Sequence, residues 1–225
     1  SKGNYTDPLI LLDDIGADAF RYYLLSSVVM QAEDMLFKDE EVREVHTRLI
    51  NILANSFSFY ELYADGSTEP STKSRQILDR WIISRLHQLV KEITDALEVY
   101  DTVHATRPMR DFVSDLSTWY IRRSRERFKN KEKEGLATAR YVFLELSRLI
   151  APVMPFIAEE IYRKVKSTDE PESVHLCEWV KGGKWDKEVI KDMEETRRLV
   201  SLALDQRLKA NIKVRQPIAS LSVKE

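Results

Sequence analysis

Leu78, Ile82, Leu86, Leu89, Ile93 and Leu97 recur three and four residues apart, and Trp81 and Val90 widen the stripe. That spacing gathers them on one side of a helix, so Arg75 to Tyr100 is predicted to be amphipathic with one buried face. Val42, Val45, Leu49, Ile52 and Phe57 show the same period and predict a long helix opening at Asp39 and running to about Ala64. Asp65 to Ser74 is polar and reads as a linker. After Asp101 and Thr102, which can cap a helix, Met109, Phe112, Val113, Leu116, Trp119 and Tyr120 continue the helical pattern. A kink is expected at Pro108, and an end near Phe128 or Lys129.

Gly135 to Ile150 gives a further apolar helix. Pro152 interrupts it, and Pro155 opens a shorter one through Lys166, with Phe156, Ile157, Ile161 and Tyr162 facing inward. Near the N-terminus Asp7-Pro8 opens a short helix that Gly16 closes. Ala17 to Ser27 forms a second, with Phe20, Tyr23, Leu24 and Ser27 on one side. Val28 to Phe37 and Ser173 to Val180 are expected to be extended. Asp186 caps a final helix to about Lys209, and Ile212 to Val223 reads as one or two strands. The expected fold is mainly α, an antiparallel helix bundle with a small leading helical segment and a short β tail.

Composition supports helices over sheets. Only 6 Gly and 7 Pro leave few residues for the tight turns of a β fold, and 43% hydrophobic with 32% charged residues suits a soluble globular chain. Net charge is −2, so any contact with nucleic acid has to come from a local basic patch. A single cysteine, Cys177, excludes an internal disulfide and favours a reducing, cytoplasmic setting. No apolar run of about 18 residues is present to span a membrane.

Chemistry-bearing motifs are few. His46, His87, His104 and His175 are scattered and form no metal-binding spacing with Cys177 or a carboxylate, so no metal is expected. His175 and Cys177 stand two apart, which in a strand would share a face, but no orienting third group accompanies them. Dinucleotide, P-loop and nucleophile-elbow motifs are absent. The informative stretch runs from Trp119 to Lys129, where Trp119 and Tyr120 adjoin Arg122, Arg123, Arg125 and Arg127. Guanidinium forks match phosphate oxygens, and aromatic faces stack unpaired bases, which is how single-stranded RNA loops are held. The same run also reads as a core-facing aromatic pair followed by a solvated helix end. A helical protein-interaction scaffold meeting an acidic partner therefore stays open, as does, less comfortably, an enzyme built on His175 and Cys177.

Several strings taken together carry a resemblance. Ser1-Lys2-Gly3-Asn4, Asp7-Pro8, Gly16-Ala17-Asp18-Ala19 and Arg21-Tyr22-Tyr23-Leu24-Leu25 resemble the segment after the KMSKS loop of class I synthetases for branched aliphatic amino acids. The likeness extends through Ala32-Glu33-Asp34, Asp79-Arg80-Trp81-Ile82, Thr106-Arg107-Pro108, Asp115-Leu116-Ser117, Trp119-Tyr120, Arg122-Arg123-Ser124-Arg125, Ala151-Pro152, Pro155-Phe156 and Lys213-Val214-Arg215-Gln216-Pro217. The arginine-rich string after Trp119-Tyr120 and the Val214-Arg215-Gln216-Pro217 string are similar to the isoleucine-tRNA ligase family; Val28, Gln31 and Val180 depart from its usual residues.

This resemblance implies a stem-contact segment at 1–37, an anticodon-binding helical bundle at 38–180, and a linker helix with the start of a C-terminal α/β domain at 181–225. It implies isoleucine tRNA as partner, with Trp119, Tyr120, Arg122, Arg123 and Arg125 as contacts and Arg107 and Arg127 as weaker candidates. It also implies that the full ligase, a cytoplasmic monomer binding neither DNA nor membrane, uses ATP and Mg²⁺ in a catalytic domain this chain lacks. Ser1 and Lys2 would then be the remnant of the ATP loop, and the chain alone would not be catalytic.

Overall fold

A computed structural model describes residues 7–220 and 222; Ser1 and Lys2 lie outside them. The chain divides between Trp185 and Asp186 into two compact units. In the first, α1 (Pro8–Ile15) opens under an Asp7 cap that accepts the Leu9 N–H at 2.9 Å, and Gly16, at φ +91°, turns the chain into α2 (Ala17–Leu25). The inner side of α2 is Asp18, Ala19, Tyr22 and Tyr23; of the four residues expected to share one side, Tyr23 is buried and Phe20, Leu24 and Ser27 are half-buried. The segment after it is not extended throughout, because Val28–Gln31 coils into a 3₁₀ turn that ends at Ala32 in the left-handed region.

Next comes a rod made of α3 (Asp39–Val45), a π-helical turn (His46–Ile50) and α4 (Asn51–Glu61). Among its buried residues, Val45, Leu49, Leu53 and Phe57 form a row that steps by four each time. In a plain α-helix each such step drifts about 40° around the axis; the wider π turn absorbs the drift and keeps the row facing inward. Leu53 therefore takes the core position that periodicity alone assigns to Ile52.

The bundle proper is α5 (Ile77–Glu98), α6 (Thr102–Asp115), α8 (Lys133–Ile150) and α9 (Pro155–Val165). Asp101 caps α6 through the His104 N–H at 3.0 Å, and α6 runs through Pro108 without a break before passing into a second π turn, Leu116–Ile121. The core contains Trp81, Ile82, Leu86, Leu89, Ile93, Phe112, Val113, Phe143 and Tyr162, each essentially sealed from solvent. Removing that much apolar surface from water, at about 25 cal/mol per Å², is what holds the bundle closed.

Polar clasps fix how the helices meet. Arg85 pairs with Asp115 across α5 and α6 at 3.2 Å. Arg140 is buried on α8 and donates to the carbonyls of Val165, Lys166, Gly66 and Thr68, which closes the end of α9 and pins the 65–74 linker. After α9, the stretch 173–180 is not a strand: Ser173 caps a 3₁₀ turn, Val174–Leu176.

The second unit holds α10 (Lys187–Lys209), whose cap Asp186 accepts the N–H groups of Glu188 and Val189 at 3.1 Å each. The tail behind it forms no strand among the described residues. A strand needs a neighbouring edge for its N–H and C=O groups; here the carbonyls of Lys213 and Gln216 instead accept from the Arg207 guanidinium at 2.8 and 2.9 Å, which bends the tail into turns.

Candidate nucleic-acid interface

The Trp119 to Lys129 run sits where the α6 rod ends. Inside the π turn Leu116, Tyr120 and Ile121 point into the core, which leaves Trp119 half-buried and Arg122 and Arg123 exposed on the outer side. The Arg123 guanidinium lies over the Trp119 ring, 4.1 Å from its centre. Such a cation–π pair stiffens both side chains at the surface and adds about 0.5–1 kcal/mol where exposed. Ser124 then breaks the rod at φ −88°, ψ 3°, and a short helix, α7 (Arg125–Lys129), begins. Its first residue, Arg125, is exposed and lies over Phe59 at the end of α4, 5.4 Å from the ring centre.

Two of the residues expected to meet RNA are placed elsewhere. Tyr120 is fully buried, and its hydroxyl donates to Asp79 Oδ1 at 2.9 Å with the Gly135 carbonyl 3.2 Å away. Burial, reinforced by the Asp79 charge, pushes its hydroxyl well above the usual tyrosine range. Arg127 grips the same carboxylate, Nη1 to Oδ1 at 2.8 Å and Nη2 to Oδ2 at 2.7 Å, and also reaches Glu132 at 2.6 Å. Ser74 adds a bond to Asp79 Oδ2 at 2.6 Å. A sealed carboxylate has to be paired or lose several kcal/mol, so Tyr120 and Arg127 are committed to Asp79. Gly135 keeps this knot tight, because a Cβ there would meet the Arg127 guanidinium at 3.2 Å.

The remaining cations divide by whether a carboxylate neutralises them. Lys129 is paired with Glu126 at 2.8 Å. Arg122, Arg123 and Arg125 have no carboxylate partner among the described residues, so their donors stay available to an outside anion. Arg107 is exposed but belongs to a different place, near the start of α6. Its Nε donates to the Ser26 carbonyl at 3.3 Å, on the rim of a cleft of about 440 Å³ lined by Tyr22, Tyr23, Glu41, Glu44, Arg110 and Asp111.

Sequence reasoning missed Phe59. It stands off the buried row of its helix, and its relevance comes from Arg125, 66 positions away in the chain, which only packing brings over it.

The rival site is not assembled. Cys177 donates its thiol to the Tyr162 hydroxyl at 3.1 Å, while His175 is turned outward by the 3₁₀ turn. A cleft of about 340 Å³ does adjoin Cys177, but its charged lining is Glu145, Arg148, Glu170, Glu178 and Lys181, with no imidazole to act as base. Among the described residues no group of three His, Cys, Asp or Glu could hold a metal ion, and no helix is long and apolar enough to cross a membrane.

The helical bundle and its cationic, aromatic end belong to a chain of the family described as the anticodon-binding domain of tRNA ligase, which matches residues 79–224. Within that class the similarity is to isoleucine-tRNA ligases. The chain is 38% identical to the isoleucine-tRNA ligase of Chlamydia trachomatis over 98% of its length and 22% of that protein. It is 35% identical to that of Nocardia farcinica over 99% of its length and 21% of that protein. The chain thus spans about a fifth of these relatives. In three dimensions it resembles the agnB2 LeuRS of Agrobacterium radiobacter, solved in a ternary complex with tRNA and LeuAMS. The TM-score is 0.54 at 19% identity, covering 84% of this chain and 22% of that one, a likeness of fold.

Proposed function

We propose that the chain binds the anticodon arm of isoleucine tRNA as part of an isoleucine-tRNA ligase. The observation that carries the reading is the Arg123–Trp119 stack flanked by Arg122 and Arg125, three guanidinium groups without carboxylate partners at one end of a rigid bundle. Trp119 offers an aromatic surface to an unpaired base while the arginines take phosphates or base edges. On this reading the segment through residue 37, where Arg107 meets Ser26, serves the stem; residues 38–180 hold the loop; the region from 181 onward leads toward a further domain. The whole ligase, a cytoplasmic monomer, attaches isoleucine to the tRNA using ATP and Mg²⁺. This chain alone contributes recognition and no catalysis.

The test is binding of the chain to isoleucine tRNA and to a valine tRNA across a salt series, with Arg122→Ala and Arg123→Ala alongside. Tighter binding to isoleucine tRNA, weakened by about 1–3 kcal/mol for each lost base-reading arginine, is expected. Equal, weak binding that neither variant changes would mean that the arginines serve the fold or another partner.

A further inference from the structure

Four rings step from the core to the surface beside the arginine cluster. Buried Tyr120 meets buried Phe128 at 6.2 Å, Phe128 meets Phe59 at 6.3 Å, and Phe59 meets Tyr63 at 5.2 Å with the rings inclined 64°. The first two belong to the α6–α7 corner, Phe59 to the last turn of α4 and Tyr63 to the turn that follows it, so the ladder ties together segments some 60 residues apart. Tyr63 is its half-buried outer rung. The hydroxyl of Tyr63 has no protein partner among the described residues, and neighbouring Leu62 is 71% exposed. Arg125 covers Phe59 at 5.4 Å.

We infer that Tyr63, with the Arg125 guanidinium over the adjoining Phe59 ring, is a second base-stacking platform, separate from Trp119 and Arg123, that takes another unpaired nucleotide of the same RNA loop. It rests on the anticodon-arm reading and adds the turn after α4 to the recognition surface. Three features favour a nucleotide as the occupant. An aromatic face next to a guanidinium free of carboxylates suits a base with its phosphate. Along the chain α7 follows the Trp119 turn, and its first residue, Arg125, lies over Phe59. The ladder anchors Tyr63 to the core, so little freedom is lost when a base stacks on it. The free hydroxyl can add a hydrogen bond to a base edge or a ribose.

The experiment uses the chain with a hairpin of the isoleucine-tRNA anticodon stem and loop, 2-aminopurine replacing each loop base in turn, and the variants Tyr63→Ala, Tyr63→Phe, Phe59→Leu and Arg123→Ala. Stacking is read as quenched 2-aminopurine fluorescence and affinity by titration. Tyr63→Ala is expected to weaken binding roughly 5- to 100-fold and to restore fluorescence at loop positions that Arg123→Ala leaves quenched, while Tyr63→Phe keeps the quenching. Should Tyr63→Ala fail to fold, Phe59→Leu carries the same expectation, since it keeps apolar contact with Phe128 but removes the ring that orients Tyr63. Unchanged affinity and fluorescence in the Tyr63 and Phe59 variants, with Arg123→Ala still weakening binding, overturns the second platform and leaves the anticodon-arm reading standing. No effect from Arg123→Ala either would overturn both.

Discussion

The Asp18 carboxylate on α2 accepts the backbone N–H of Ile157 at 2.7 Å, 139 residues further along the chain, and that of Phe156 at 3.2 Å. It thereby caps α9 from another helix, while Arg21, one turn on, donates to the carbonyls of Pro152 and Val153. The negative group sits at a helix start and the positive one at a helix end, as the helix dipoles favour. Asp18→Ala is expected to cost about 1–2 kcal/mol, the usual loss of a cap, and Asp18→Asn less, since it keeps an acceptor. Burial holds the Asp18 carboxyl above its ordinary 3.8, against the pull of the two N–H bonds. As pH rises from 3.8 through that raised value the unfolded chain releases its proton first, so this group's contribution to stability falls over the window. Urea melts across that range should show a slope that Asp18→Asn removes; an unchanged slope would assign it to other carboxyls.

Arginines five residues or fewer apart have unlike roles. Arg127→Ala leaves the sealed Asp79 carboxylate without its bidentate partner and is expected to destabilise by about 3–5 kcal/mol. Arg123→Ala forfeits a surface cation–π contact and should cost no more than about 1 kcal/mol. Denaturant midpoints decide this, and equal losses would contradict the division into fold and surface cations.

Gly183 lies flat against the His87 imidazole, where an added Cβ would come within 2.6 Å of the ring. The ring cannot swing aside cheaply, because Nδ1 is bonded to the Lys184 carbonyl at 3.0 Å and Nε2 to the Tyr141 hydroxyl at 2.9 Å. Gly183→Ala should therefore lower stability by about 1–3 kcal/mol, an overpacking penalty, and the companion His87→Ala should relieve most of the added strain. A thermal melt of Gly183→Ala that matches the parent would refute the close approach.

Burial pushes the phenols of Tyr22, Tyr60 and Tyr141 up to about 12. Between pH 10 and 12 the unfolded chain ionises these groups while the folded one does not, so stability should drop through that window. Tyr60→Phe is expected to flatten part of the slope while shifting stability at neutral pH by no more than about 1 kcal/mol. Alkaline melts with the same slope in both proteins would show that Tyr60 ionises freely when folded.

Arg107 and Arg123 lie on one helical rod, and sixteen residues at the helical rise put them about 24 Å apart. On the anticodon-arm reading the stem lies at the Arg107 end and the loop at the Arg123 end. Arg107→Ala should weaken binding of the anticodon hairpin while leaving 2-aminopurine quenching at the loop positions unchanged in the saturated complex, whereas Arg123→Ala should reduce both. Loop fluorescence restored by Arg107→Ala would place the RNA differently on the bundle.

The helices and several of their boundaries could be read from the chain itself. The stripe from Leu78 to Leu97 and the caps Asp7, Asp101 and Asp186 act over three or four residues, so their physics is complete within a short window of sequence. The Asp18 and Pro155-Phe156 strings were visible too, but as separate pieces of a resemblance; the structure joins them into a single cap. A tail strand was expected from Ile212 onward because alternation says nothing about whether a neighbouring edge exists, and the Arg207 side chain takes the carbonyls instead.

Packing alone decided which members of the Trp119 to Arg127 run face outward. A helical period of 3.6 does not anticipate the π turns at His46–Ile50 and Leu116–Ile121, which rephase the residues after them. Nor does a row of arginines reveal which of them a carboxylate 48 positions away will claim, as Asp79 claims Arg127. The sequence by itself determined the helical elements, their caps and the presence of a cationic, aromatic helix end, because those depend on neighbours along the chain. The tertiary structure decided that Tyr120 is core and Arg127 is claimed by Asp79, that Arg122, Arg123 and Arg125 are surface, and that Phe59 lies under Arg125, because burial and charge pairing are settled between segments that meet only when folded.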